Sequence, residues 1–77
     1  MTTEIQNRFY KATLLACLNP ENKNERGGLN WYSVVAQVFD YLVVNDEYSV
    51  ADYNSNISAA TKKAAERINF WEENGCV

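Results

Sequence analysis

Ser49-Val50-Ala51-Asp52-Tyr53-Asn54-Ser55-Asn56-Ile57-Ser58-Ala59-Ala60-Thr61-Lys62-Lys63-Ala64-Ala65-Glu66-Arg67-Ile68-Asn69-Phe70-Trp71-Glu72-Glu73-Asn74-Gly75 is the stretch that decides the fold of this chain. Ser49 and Asp52 form a capping box, in which each side chain satisfies a backbone donor at the other's position. They predict a short helix over 49–56 with Val50, Tyr53 and Ile57 inward. The Asn/Ser-rich segment 54–58 predicts a turn, because short polar side chains compete with the backbone for hydrogen bonds. A last helix is expected over 59–74, with Ala64, Ile68 and Trp71 as its buried stripe. Gly75 suits the left-handed residue that closes a helix.

Upstream, Asn30 is placed to cap a helix over 30–44. Trp31, Val34, Val35, Val38 and Leu42 form its apolar face, with Ser33, Gln37 and Asp40 opposite. The valines admit a rival strand pair around Asn45-Asp46, since β-branched residues favour strands. The four-residue spacing of the polar side chains decides for helix. Thr3 and Gln6 form another capping box, opening a helix over 4–18 that carries Ile5, Phe9, Ala12 and Ala16 on one face. Asn19-Pro20 ends it, because the residue before proline avoids the α region. Residues 19–29 then read as a polar loop. The expectation is an all-α, single-domain chain: an N-terminal helix followed by a three-helix unit.

The 77 residues carry 10 Asp and Glu against 7 Lys and Arg, a net charge of −3, and no histidine. Without histidine, acid–base chemistry would fall to carboxylates, Tyr or Lys moved by burial. Asp46-Glu47 and Glu72-Glu73 sit where solvated charge is expected, and Gly27-Gly28 is a turn rather than a phosphate loop. A metal site from Asp40, Asp46 and Glu47 matches no known ligand spacing. Cys17 lies in an apolar run and reads as a core residue, while Cys76 reads as exposed. Two such cysteines make no disulfide framework, so a reducing cytoplasm is expected. No signal-peptide pattern or membrane-length apolar run occurs. Neither enzyme activity nor a cofactor is expected.

The C-terminal half resembles helix-turn-helix DNA-binding domains of the winged type. The residues that carry the resemblance are Val38-Phe39-Asp40-Tyr41-Leu42, Tyr48-Ser49-Val50-Ala51-Asp52-Tyr53, Ile57-Ser58-Ala59-Ala60-Thr61 and Trp71-Glu72-Glu73-Asn74-Gly75-Cys76-Val77. The Ser58/Thr61 pair stands two residues early for the family. A gap-free register puts Ala60 there and makes Tyr53, Ile57, Ala59, Ala64, Ile68 and Trp71 the core. The family's wing would begin beyond Val77, so no wing contact is expected. The resemblance implies a regulatory protein able to act as a homodimer, whose second helix enters the major groove of double-stranded DNA. Ala60, Thr61, Lys62, Lys63, Glu66 and Arg67 would face the duplex, with the cations on phosphates or base edges. Arg8, Lys11, Lys23 and Arg26 would extend that face if the first helix folds alongside.

A second reading starts from the aromatics, of which there are five Tyr, three Phe and two Trp. Tyr and Trp are rich at protein interfaces. The stretch holding Asp40, Asp46, Glu47, Tyr48, Asp52 and Tyr53 is suited to docking on a basic protein partner, even imitating DNA phosphates. In size and composition the chain is similar to small inhibitors that phages direct against host or defence machinery.

Overall fold

The computed structural model describes residues 3–75, Thr3 by its backbone alone. It consists of three α-helices: α1 (Thr3–Leu18), α2 (Trp31–Phe39) and α3 (Val50–Glu73). Among the described residues the only β-type pairing is one isolated bridge between Lys23 and Leu29. The chain is therefore all-α, and no hairpin forms around Asn45-Asp46. The capping role expected of the Thr3 side chain, and the exposure expected of Cys76, lie outside the described residues.

Phe9, Ala12, Ala16 and Cys17 place one stripe of α1 in the core. Thr13 is buried among them, and its hydroxyl donates to the Phe9 carbonyl at 2.7 Å, so no polar group is stranded. Beyond α1 the chain turns through a short 3₁₀ segment, Pro20–Asn22. Asn22 is buried and anchors the loop: its amide donates to the Ala16 carbonyl and to Gln37 Oε1, each at 2.7 Å. Gln37 also accepts from Asn19 at 3.3 Å. Gln37, expected on the solvent face with Ser33 and Asp40, is thus half-buried as the acceptor that ties α2 to the end of α1.

Asn30 caps α2, its side chain accepting from the Ser33 amide at 3.3 Å. Val34, Val38 and Leu42 are fully buried. After Phe39 the helix widens into a π-helical turn, Asp40–Val44, in which the Asn45 N–H donates to the Asp40 carbonyl five residues back. Asp46 follows at φ 66°, a left-handed conformation that Asp tolerates better than most residues. This reverses the chain into α3.

The capping box at the start of α3 is formed: the Asp52 amide donates to Ser49 Oγ at 3.1 Å and the Ser49 amide to Asp52 Oδ2 at 3.3 Å. From there α3 runs 24 residues without a break, about 36 Å at 1.5 Å per residue. The turn expected over 54–58 is not present, and the two helices expected on either side of it are one. Its polar side chains bond back to their own helix instead. Asn56 donates to the Asp52 carbonyl and Thr61 to the Ser58 carbonyl, both at 2.8 Å. The inward stripe is Tyr53, Ile57, Ala60, Ala64 and Ile68. Ala59, expected in the core, is exposed, and Ala60, expected on an outer face, is buried.

α1 and α3 run the same way, with α2 returning between them. Arg8 meets Glu47, Tyr10 meets Arg67, and Cys17 lines one groove with Ile68. Ala12, Ala16, Ala60 and Ala64 are all buried, and such small side chains let helix axes approach closely. Aromatics fill the end near the α2–α3 corner. Phe9 lies 5.4 Å from Tyr48 and 6.4 Å from Tyr53, and Phe39 meets Tyr53 edge-on at 5.0 Å. No helix is long and apolar enough to cross a membrane among the described residues.

Candidate interaction surfaces

The side chains expected to face DNA all lie on α3, but the helix divides them between two sides. Thr61 is half-buried, its hydroxyl bound to its own helix. Lys62 is exposed and borders a shallow groove beside Trp31. Lys63, Glu66 and Arg67 project on the other side, toward α1. There the ammonium of Lys63 sits 4.5 Å above the ring of Tyr10, and Arg67 Nε donates to the Tyr10 hydroxyl at 3.3 Å. One aromatic side chain thus gathers two cations, Lys63 by the ring's negative face and Arg67 by its hydroxyl. Phe70, 52% exposed, completes this notch. Of the cations expected to extend the face, Lys23 borders the groove on the far side of Trp31. Arg8 is committed to Glu47, while Lys11 and Arg26 are exposed.

The acidic set lies where the π-helical turn passes into α3. Asp40 and Asp46 are exposed. Glu47 receives both Nε and Nη2 of Arg8, at 2.7 and 3.1 Å. This hydrogen-bonded pairing holds the Glu47 carboxyl below the usual carboxylate range and raises the Arg8 guanidinium further. Asp52 is half-occupied by the helix cap. Tyr48 and Tyr53 face inward, and the Tyr53 hydroxyl donates to the Val35 carbonyl at 3.2 Å. Burial raises the Tyr53 pKa. The corner therefore brings Asp40, Asp46 and Glu47 to the surface, while Tyr48 and Tyr53 hold it in place. Two apolar side chains of the same segment are exposed: Val44 at 65%, which the sequence reading left out, and Val50 at 52%, which was expected to point inward but lies uncovered in the first turn of α3.

A third feature is a groove of about 290 Å³ between the end of α1, the 23–29 loop and the second half of α3. Leu18, Leu29, Trp31 and Ile68 give it apolar walls, and Lys23 and Glu72 stand at its rim. The buried Cys17 lies beneath these walls. Burial pushes its thiol up to about 11 against the opposing pull of Lys23, so it stays protonated and unreactive near neutrality. Among the described residues no three carboxylates or thiols come together to hold a metal ion. Asp40, Asp46 and Glu47 form no such group.

Comparison with known proteins finds no family model that matches the chain, and no curated protein or solved structure that matches it. The reading of function therefore rests on these surfaces.

Tyr10, Val44 and Phe70 escaped the sequence reading as surface groups, and Val50 was placed inward by it. Tyr10 acquires its role only when α1 lies against α3. Val44 stands off the stripe marked by Val34, Val38 and Leu42, Phe70 off that marked by Ala64 and Ile68, and Val50 is left uncovered in the first turn of α3.

Proposed function

We propose that this chain is a small, non-enzymatic protein-binding module, an inhibitor or adaptor, whose acidic corner docks on a basic partner. The observation that carries this reading is the exposure of Val44 and Val50, at 65% and 52%, interleaved along residues 40–50 with the exposed Asp40, Asp46 and Glu47. Apolar side chains supply burial energy to an interface, and surrounding charges select the partner and speed encounter. A net charge of −3 acts in the same direction. The corner is also held rigid by the Arg8–Glu47 bridge, the Ser49–Asp52 cap and the Phe9–Tyr48 contact, which lowers the ordering cost of binding. A left-handed Asp46 and a π-helical turn, features that concentrate at working sites, support the same location.

The test compares the native protein with Asp40→Asn/Asp46→Asn/Val44→Ser in affinity capture of binding proteins. Asn keeps the left-handed backbone at position 46 and removes only the charge. Partners held by the native protein and lost by the variant, at equal helicity, support the corner. An unchanged set of partners removes it.

A second reading keeps DNA as the partner. It draws on Lys62, Lys63 and Arg67, which are exposed on one helix. With the turn replaced by continuous helix, α3 itself would lie along the duplex, with Thr61 and Glu66 beside the cations. Anisotropy with random duplex DNA at two salt concentrations decides it. Salt-sensitive binding that Lys62→Ala/Lys63→Ala abolishes supports DNA, because phosphate contacts release counterions. No binding at low salt leaves the protein partner alone.

A further inference from the structure

The notch where α1 meets α3 at Tyr10 gathers groups that the acidic corner does not use. Lys63 stands 4.5 Å over the Tyr10 ring, and Arg67, one turn further along α3, donates Nε to the Tyr10 hydroxyl at 3.3 Å. Both contacts are with a neutral side chain, so they fix the two cations without neutralising them. Like charges one helical turn apart repel each other. The Arg8–Glu47 pair is the only salt bridge among the described residues, so neither Lys63 nor Arg67 is in contact with a carboxylate. Glu66 lines the same notch and leaves it one net positive charge. Phe70, 52% exposed, forms the remaining wall of a space of about 310 Å³.

We infer that this notch binds a nucleoside monophosphate. Each group on its walls has a counterpart in such a molecule. The Nη groups of Arg67, which bind nothing else among the described residues, and the ammonium of Lys63 take the phosphate oxygens. The Tyr10 hydroxyl accepts from Arg67 and keeps its own proton to donate to the same phosphate. Glu66 only accepts, which matches the ribose hydroxyls, and its charge repels a second phosphate group. Phe70 offers a ring face on which the base stacks. A space of this size lies at the lower end of ligand pockets, so the phosphate and one face of the base are covered while the rest stays in water. The net charge of −3 works against a long polyanion, so the occupant is a free nucleotide rather than a nucleic-acid strand. Lys62 stands on the other shoulder of α3, beside Trp31, and takes no part.

Nitrogen–proton correlation spectra of the full chain, titrated separately with adenosine monophosphate, adenosine and inorganic phosphate, provide the test. The nucleotide should move the amides around Tyr10, Lys63, Arg67 and Phe70, with a Kd of about 1 mM or below. Adenosine and phosphate alone should each bind roughly tenfold or more weakly. Arg67→Gln should weaken the nucleotide roughly fivefold or more and leave adenosine unchanged. Phe70→Ala should weaken the nucleotide and leave phosphate unchanged. A merely structural role of either side chain would not separate the probes in this way. Both side chains are exposed, and equal helicity by circular dichroism confirms that the variants fold. A short single strand with a terminal phosphate should bind no more tightly than the mononucleotide, and tighter binding overturns the assignment to a free nucleotide. No response at about 10 mM nucleotide, shifts spread over the whole surface, or a loss with Lys62→Ala equal to that with Arg67→Gln overturns the site. None of these results bears on partner capture by the acidic corner.

Discussion

Ser55→Pro separates a continuous α3 from two helices joined at residues 54–58. Ser55 is exposed, and it sits six residues beyond the Ser49 cap. Its N–H therefore belongs to the interior ladder of α3, bonded toward the Ala51 carbonyl by helical geometry. Proline there removes that donor and drives its ring into the same carbonyl, at a cost of about 3 kcal/mol or more. For 77 residues the whole stability is expected to be about 4–12 kcal/mol. The substitution thus removes a quarter of the stability at the least. In a domain of this size that is a fall of roughly 12–24 °C in Tm. The chain could escape by unwinding Val50–Asn54, but that releases the Tyr53 hydroxyl from Val35 and its ring from Phe39 and Phe9. Both routes are costly. Urea unfolding followed by far-ultraviolet circular dichroism gives the magnitude, with Ser55→Ala as a control that should be neutral or slightly stabilising. A Ser55→Pro protein with unchanged helicity and a loss under about 1 kcal/mol would refute the continuous helix, because a turn at 54–58 would admit proline freely.

Leu42→Ala should cost about 2–5 kcal/mol in the same unfolding assay, since Leu42 is fully buried and its neighbours cannot close the void. Glu47 has a folded pKa below its unfolded value, so its bridge stabilises the protein above the ordinary carboxylate range, and that contribution is lost as pH falls through the lowered pKa. Glu47→Gln should flatten this acid limb in a pH series of urea midpoints and leave the neutral-to-alkaline limb alone. The Cys17 thiol is raised to about 11, so its contribution is whole below its unfolded pKa and fades as pH rises toward 11. Titration with a thiol reagent near pH 8 should find Cys17 inert in the native protein and reactive in urea. Gly27→Ala should destabilise by about 1 kcal/mol, because Gly27 holds φ 83° in the 23–29 loop with no steric obstruction to a methyl group.

The elements that could be read from sequence are those written in local chemistry. Asn30 and Ser49 each accept from a donor three residues on, so their roles follow from spacing alone. The all-α class follows in the same way from the apolar period of each segment. Gln37 shows the opposite case. Its one side-chain oxygen accepts from both Asn19 and Asn22, fifteen or more residues distant, and no local pattern marks a polar residue for such a task. The notch around Tyr10 is more remote still, with 57 residues between the hydroxyl and Arg67.

The missed continuity of α3 has a different cause, because the signal was present. Asn and Ser in 54–58 favour a turn by a few tenths of a kcal/mol each. Tyr53, Ile57, Ala60, Ala64 and Ile68, however, keep one helical phase straight through that segment. A turn of any length would rotate the second half relative to the first and break the phase. One of the two sets of apolar side chains would then leave the core, at about 25 cal/mol for each Å² uncovered. Burial along an unbroken stripe therefore outweighs weak local preferences. The register implied by the helix-turn-helix resemblance, with Ala59 inward, concealed this, because it shifts the stripe by one residue at the point where the phase must be checked. The same shift bears on function. With Ala60 inward, Lys62 and Lys63 fall on opposite shoulders of α3, one toward Trp31 and the other toward Tyr10. By helical spacing the exposed Glu66 and Phe70 stand between those shoulders, so the cations that the resemblance sets side by side are separated by a carboxylate and an aromatic ring.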